Sequence, residues 1–588
     1  MQGKMAVTIS SLLNISKTGL LSNQYALSSV SQNIANVNTA GYSRQTAALT
    51  SNQGALRGNT DGIGGGVAVS DLKRSVDALV DNRIQLGLGE KGRLETRNQY
   101  LNMIENVFND QDGDGLSTRL DEFFSMVDKL ADNPTSPASR AELVASAQNV
   151  TNFANKMYDD LAGLALPVDQ EIDVLVNTIN TKLKSLAEVD SAIQLREKTN
   201  NPALDLKDQR DEMIRELSGM IDVQVLSNQD GSTTLMTAGG ELLMDHGFTA
   251  TFGRGALDTT TGFAGITVNG KSGDYTDKLS SGSLKALLEV RDQVVGGSSG
   301  YLTKLESIVD ELRFQVNSIT STSSSMYLNQ SQTGVFDLGT QTATAVNAQD
   351  YTTVNAPPPD LGRVVDGTVT FAYGSDANNL SFDSVNITSS MTIDEVVAAL
   401  NASNAVSASV NANNQLSIAA KSTYYAVSAD SSNIMAAMGI GALFGGTGAS
   451  NMAVNSEMVA DQTTVPVGRI RTDANGLPQF DNADNDGVLA LGDLRNTKFT
   501  LFGESLTLSA HYASTISQLG AEQASNEEQL GAATSTYNFM QQVRASISGV
   551  SLEEELTDLM RFQRAFQASS KMVVTADELL QSVIGMVR

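Results

Sequence analysis

Two acidic runs carry the spacing of a calcium loop. "DQDGDGLSTRLD" places Asp110, Asp112, Asp114, Gly115 and Asp121 where such a loop keeps its oxygen ligands and its sharp turn. "NADNDGVLALGD" repeats the pattern with Asn482, Asp484, Asp486, Gly487 and Asp493. Both close on Asp, where the loop needs the longer, bidentate Glu, and the second opens on an uncharged Asn. A solvated acidic turn is the expectation at each, and no metal residue is assigned.

"GGSSG" at Gly296 to Gly300 fits the nucleophile-elbow pattern, but that elbow follows a buried strand, and "LKALLEVRDQVV" ahead of it reads as helix. A flexible turn is expected. "DGIGGGV" at Asp61 to Val67 lacks the helix that would present its amides to a phosphate, so it reads as a turn into a strand. His246 and His511 lie far apart, with no Cys or third His beside them, and are expected to be ordinary surface or turn residues. No nucleophile, base and oxyanion hole assemble. The chain is expected not to be an enzyme and to need no cofactor.

A chain of 588 residues is too long for one core, so two to four domains are expected. Hydrophobic residues make up 41% and charged residues 18%, a globular balance. Acidic residues outnumber basic ones 66 to 39, for a net charge of −27. That field repels phosphate backbones and anionic headgroups, which disfavours nucleic-acid and membrane partners. With no Cys, neither disulfides nor thiolate metal sites are available. The opening "MQGKMAVTISSLLNISKTGLLSNQ" does not read as a secretory signal peptide, so export requires another route.

The elements behind these residues are dominated by the two ends. Leu13, Leu20, Leu27 and Ile34 recur every seventh residue, with Val30 and Val37 widening the stripe, until Asn38, Thr39 and Gly41 disfavour further helix. Leu552, Leu559, Phe566, Val573, Leu580 and Val587 repeat the spacing at the other end, flanked by Leu556, Phe562, Ala576, Val583 and Ile584. Ser551 and Glu554 have capping-box spacing. A helix cannot bury such a seam by itself. Both ends are expected to be loosely ordered in the monomer and ordered in an assembly.

Between the ends, residues 71–108 and 116–218 read as helical. Strands are expected from Ile221, where apolar residues alternate around Asp230-Gly231. Helix returns in "YLTKLESIVDELRFQVNSI", and "APPPD" at Ala356 to Asp360 reads as a stiff linker. "GTVTFAY", "VSASVNANNQLSIAA" and "YYAVSA" follow as strands around one short helix, "TIDEVVAALNA". Helix resumes from about Ser509. The expected fold class is mostly α with a β-rich insertion, an α+β arrangement whose coiled-coil terminal helices come together. The expected domains are 1–60 with 546–588, a mixed body of 61–345 with 446–545, and an outer β insertion of 346–445.

Both ends together resemble the flagellar rod and hook axial protein family. "SQNIANVNTAGYSRQ" is similar to its N-terminal signature through Asn33, Ile34, Ala35, Asn36, Thr39, Gly41 and Tyr42. "VSLEEELTDLMRFQRAFQASSKMVVTADELLQSVI" resembles the C-terminal one through Leu552, Glu555, Gln563, Ala565, Gln567, Ala568, Lys571, Thr575, Ala576, Asp577 and Glu578. The tail Ser43-Arg44-Gln45 points to the hook-associated branch. "RSVDALVDNRI", "NPTSPASR", "DQRDEMIREL" and "TGASNMAVN" are similar to stretches of the same branch. Gln32 and Phe566 depart from the family's common Asn and Tyr. "TIDEVVAALNA" followed by "LSIAA" also resembles a small repeat of flagellins and filament-cap proteins.

The resemblance implies an extracellular structural subunit of the bacterial flagellum, polymerising at the junction between hook and filament. It implies export through the flagellar type III apparatus, with a chaperone covering the C-terminal helix beforehand. Its partners would be other copies of itself, adjacent hook subunits and the second hook-associated subunit. The two seams would then be the assembly interface, with Asn36, Thr39 and Gly41 at the joint where the inner helix turns outward and Tyr42 and Arg44 reaching an adjoining subunit. Two alternatives remain open: another axial component of hook or filament type, or a secreted adhesin using the β-rich insertion.

Overall fold

The computed structural model describes residues 2–51, 65–108, 115–199, 201–228, 231–257, 262–270, 274–339, 344–346 and 359–587; the side chains of residues 2–8, of Pro359 and of Val587 lie outside that description. So do Asp110, Asp112 and Asp114 of the first acidic run, residues 61–64 of the glycine-rich stretch and residues 356–358 of the expected linker.

The helices are α1 (Gln2–Ala35), α2 (Ala78–Phe108), α3 (Leu116–Asp132), α4 (Pro137–Lys198) and α5 (Leu204–Met220). They continue with α6 (Ser283–Glu289), α7 (Tyr301–Thr320), α8 (Ile393–Ala402), α9 (Ile434–Ala437), α10 (Ser456–Ala460) and α11 (Asp486–Asp493). The long pair α12 (Leu508–Ser548) and α13 (Leu552–Val587) closes the chain. The class is mixed and mostly helical, as the spacing predicts.

The chain divides into two compact units. The first holds Met1–Asn98, Asp169–Glu289 and Ser525–Arg588; the second holds Gln99–Val168 and Val290–Ala524. In the first, β1 (Gln45–Ser51) and β2 (Val67–Arg74) form an antiparallel ribbon with Thr46 opposite Lys73. The helix expected from residue 71 therefore begins at Ala78: alternating Val67, Val69 and the cross-strand partners hold residues 71–74 in the strand. The same unit contains the meander β3 (Gln224–Ser227), β4 (Thr233–Met236), β5 (Leu242–Asp245) and β6 (Phe248–Thr249). The hairpin of β7 (Phe252–Leu257) and β8 (Ala264–Val268) completes it. Within α4, Ile172, Val176, Ile179, Leu183, Leu186, Asp190 and Ile193 are buried at alternating four- and three-residue steps, the stripe that makes this long helix pack.

In the second unit, α3 buries Leu120, Phe123, Phe124 and Val127 and packs against α11. Two three-stranded sheets, β11–β10–β14 and β12–β13–β9, enclose a core that includes Phe371, Ile387, Val396, Leu400, Val406, Ile418 and Tyr425. These strands are β9 (Ser331–Thr333), β10 (Gly367–Asp376), β11 (Asn379–Ile387), β12 (Val406–Val410), β13 (Leu416–Ala420) and β14 (Tyr424–Asp430). The helix expected at "TIDEVVAALNA" is α8, started by a Thr392–Glu395 capping box.

Asp360, assigned by sequence to a linker, is instead fully buried. Its Oδ2 accepts from Arg313 at 2.5 Å, and Arg313 is equally buried. Arg363 joins them through Glu311 at 2.6 Å and Asp310 at 3.1 Å. The proline run ends in a short 3-10 turn (Pro359–Arg363) because this ion cluster holds it against α7. His511 is also buried, with Nε2 2.9 Å from the Phe499 carbonyl, whereas His246 sits in an exposed turn as expected. The second acidic run is not an open loop: its last eight residues form α11, and Asp484 accepts from the Arg469 and Asp486 amides.

Replacing Asp360 with Ala takes the fully buried partner from Arg313 and leaves that interior charge only the contact with Asp310. The expected cost is about 3–5 kcal/mol, read by denaturant unfolding, and the double change with Arg313→Met is expected to recover most of it.

Candidate functional site

The terminal seams come together as expected. α1 and α13 pack against each other antiparallel: Asn33 meets Glu555, and Gly19 lies against Ser569, fourteen residues back along one helix and fourteen on along the other. The fully buried face of α1 is nevertheless not its leucine ladder. It is Ile9, Ser16, Ser22, Ala26, Ser29, Val30 and Asn33. Small residues let α13 and the β1–β2 ribbon approach closely, and the hydroxyls find backbone partners, Ser29 Oγ donating to the Gln45 carbonyl at 2.9 Å and Ser22 Oγ to that of Val67 at 3.2 Å.

Leu13, Leu20, Leu27 and Ile34 are half-buried, as are Leu559, Phe562, Phe566, Val573, Leu580 and Val583. Leu552 and Leu556 are exposed, at 47% and 52%. The reason is geometric. A strict seven-residue ladder drifts about 20° per heptad around a straight helix, so a stripe centred on α1 at Val573 has rotated away by Leu552. Met560, Met572, Val574, Leu579, Ile584 and Met586 are exposed as well, from 44% to 76%. The paired helices thus leave much apolar surface uncovered.

At the root of the pair, Asn33 is 1% exposed and uses its whole amide. Nδ2 donates to the Gln45 carbonyl at 2.9 Å and to Glu555 Oε2 at 3.0 Å, while Oδ1 accepts from the Gln45 amide and the Tyr42 hydroxyl, each at 2.9 Å. Helix α1 ends through local polar bonds: Asn36 Nδ2 donates to the Gln32 carbonyl, and Thr39 Oγ1 to Asn36 Oδ1. Gly41 then takes φ +80°, the left-handed turn any side chain would strain, with the Glu212 carboxylate where a Cβ would point.

Arg44 ties this turn to α13. Its Nε donates to Glu555 Oε1 at 2.7 Å, and its two terminal nitrogens lie 2.9 Å from Glu554 Oε2 and 3.8 Å from Asp558 Oδ2. Its own amide donates to the Ser548 carbonyl at 2.9 Å, pinning the two chain crossings together. Glu554, read from sequence as half of a capping box with Ser551, is occupied by Arg44 instead. Further support comes from Arg544, which bonds Asp81 and the Gly41 carbonyl, and from Asp208, which accepts from the Ser43 amide and from Arg74. Burial pushes the Asp208 and Asp81 carboxyls up, against the pull of Arg74 and Arg544. Burial, then Asp208, Asp205 and Glu555, holds the Tyr42 phenol well above its usual range, so it stays a donor.

Sequence reasoning placed Asn36, Thr39 and Gly41 at a joint; in the structure they lie in the turn that follows α1. It expected Tyr42 and Arg44 to reach another subunit, and both are engaged within the chain. It gave no role to Asn33, Glu555, Asp208 or Arg544; the place of Asn33 and Glu555 in the two terminal signatures was the available signal.

Asn33→Ala leaves the Gln45 amide and one Glu555 oxygen without partners. We expect about 2–4 kcal/mol lost from the pairing of α1 with α13, read as faster hydrogen exchange in both helices, whereas Tyr42→Phe, which removes one donor, costs about 1 kcal/mol.

Comparison with known proteins adds the following. The family model described as "Flagellar hook-associated protein FlgK helical domain" matches residues 101–351, and that described as "Flagellar basal body rod FlgEFG protein C-terminal" matches residues 541–586. The chain is 25% identical to flagellar hook-associated protein 1 of Escherichia coli (strain K12), covering 98% of this chain and 100% of the relative. It is 24% identical to the protein of the same name from Bacillus subtilis (strain 168), covering 97% of each. Among solved structures it resembles the flagellar hook junction protein FlgK from Burkholderia pseudomallei, with a TM-score of 0.50, 15% identity, and coverage of 79% of this chain and 100% of that one. That last likeness speaks to the fold alone.

Proposed function

The chain belongs to the flagellar hook-associated protein 1 family, and from that premise we infer that it is a structural subunit of the bacterial flagellum, polymerising into the junction between hook and filament. The structural observation that carries the reading is the uncovered apolar surface of the α1–α13 pair. Leu552, Leu556, Met560, Met572, Leu579 and Met586 would stay in water in a lone chain, and repeated lateral contact between copies removes them from it.

In this reading the partners are further copies, hook subunits on one side and the second hook-associated subunit on the other. An export chaperone covers α13 in the cytoplasm, and the subunit leaves through the flagellar type III apparatus. The absence of Cys suits passage of an unfolded chain free of cross-links. The role is mechanical, not catalytic. The half-buried ladder of Leu13, Leu20, Leu27, Ile34, Leu559, Phe562, Phe566, Val573, Leu580 and Val583, with exposed Leu552 and Leu556 and with Val587, forms the assembly interface. Asn36, Thr39, Gly41, Tyr42 and Arg44 shape its root.

Leu27→Asp and Leu559→Asp are each expected to leave the second unit folded while preventing incorporation into flagella; normal incorporation of either would refute the interface. An epitope inserted after Asn413, in the exposed turn between β12 and β13, should appear by gold labelling as one narrow band between hook and filament. Label along the whole hook or filament would assign another axial role, and diffuse label over the cell body would overturn the assembly reading.

A further inference from the structure

Among the described residues the β1–β2 ribbon has only its two strands, so β2 keeps one edge without a neighbouring strand. A groove of about 820 Å³ runs along that edge, within the first unit. All six residues from Val69 to Arg74 line it, together with Tyr25 of α1, Glu197 of α4, and Leu204 and Lys207 of α5. Side chains alternate between the faces of a strand, so six consecutive residues share one cavity only where it follows the backbone edge. The ladder says which backbone groups face it. The Ser75 amide donates to the Arg44 carbonyl at 2.8 Å, while both backbone groups of Gln45 are bonded by Asn33 and so face away from β2. Gln45 stands opposite Arg74, and Ala47 opposite Leu72. Bonded and unbonded pairs alternate, so the N–H and C=O of Leu72 and Arg74 point away from β1, into the groove.

We propose that the occupant of this groove is the same edge of a second copy, paired antiparallel about a two-fold axis through Leu72. The charges select that register. With Leu72 opposite Leu72 of the second copy, Asp71 stands opposite the other copy's Lys73 and Lys73 opposite its Asp71, in the closely spaced pairs of an antiparallel ladder. Moving the axis one residue either way, to Asp71 or to Lys73, sets like charges against each other. Asp71 and Lys73 are exposed, and neither has an ion-pair partner in its own chain among the described residues. Each copy carries a net charge of −27, but at about 0.15 M salt that repulsion is screened beyond about 8 Å, which leaves the facing pairs to decide. Regular pairing ends at Ser70, the extra residue where the ladder shifts between Ala48 and Leu49. The contact is short and uses the same patch on both copies, so it closes at two and cannot propagate. It belongs to subunits outside the polymer and goes beyond the role proposed above without resting on it.

Sedimentation equilibrium of the full-length chain, from micromolar to near-millimolar concentration at about 0.15 M salt, reads the pairing. A monomer–dimer equilibrium is expected. Asp71→Lys and Lys73→Asp should each weaken it by about tenfold or more. An equimolar mixture of the two variants should restore the dimer, because every Lys then faces an Asp. Leu72→Pro removes the two central amide donors but none of the bonds to β1, so it should abolish the dimer with circular dichroism unchanged. A monomer at every concentration would overturn the pairing, as would a mixture that stays monomeric. A dimer that survives both single charge changes would also overturn it, and would place the association elsewhere on the chain. The junction band expected of the epitope-tagged chain is independent of all these results.

Discussion

The structure depends on one constraint: two helices must leave the same place without abandoning the polar groups of the backbone that bends there. A helix end exposes free carbonyls and amides, and a chain reversal beside a second helix start doubles the number. Here a single buried amide, that of Asn33, bonds both backbone groups of Gln45, the Tyr42 hydroxyl and the Glu555 carboxylate. Arg44 then neutralises Glu555 and returns its own amide to Ser548. Each of these residues would be a liability alone. A buried asparagine and glutamate are tolerated because their bonds close on each other and on the half-buried arginine.

That economy explains why polar residues interrupt the buried face of α1. Ser16, Ser22, Ser29 and Asn33 occupy positions that a self-sufficient coiled coil would fill with leucine. Their small size lets the ribbon and α13 lie close, at the expense of apolar area. The leucines are displaced to the rim of the contact, half-buried, where another molecule can complete their burial. The drift of the seven-residue ladder does the same for α13, turning Leu552 and Leu556 outward near the joint. A lone pair of helices is thus held firmly at its root and weakly along its length.

Much of this was legible in the sequence, and the boundary of legibility is physical. Periodicity reports which residues seek burial, so the terminal seams, the long helices and the strands after Ile221 could be read from spacing. The insertion could be read likewise, because Val396, Leu400, Val406 and Ile418 repeat at helical and then strand periods. Spacing does not report what a polar residue will meet. Asp360 looked like part of a proline linker because Arg313 and Arg363 reach it only in the folded chain. His511 looked ordinary because its carbonyl partner lies on a neighbouring strand. Residues 71–74 looked helical because the pairing that makes them a strand is with residues 45–48, across the ribbon. Arg44 and Tyr42 were recognised as special by their motif, but a motif does not say whether the partner is in the same chain.

The same distinction separates the two kinds of contact the subunit needs. The joint is built from short, directional, charge-assisted bonds, which fix geometry and tolerate little substitution. The surface the paired helices leave exposed is methionine, leucine and valine, whose attraction scales with area and not with angle, and whose flexible members can adapt to unlike surfaces. A subunit standing between two different tubes must meet surfaces that do not match each other. Placing directional chemistry inside the chain and leaving adaptable apolar chemistry outside lets one sequence do both. The rigid root then determines where the adaptable surface points.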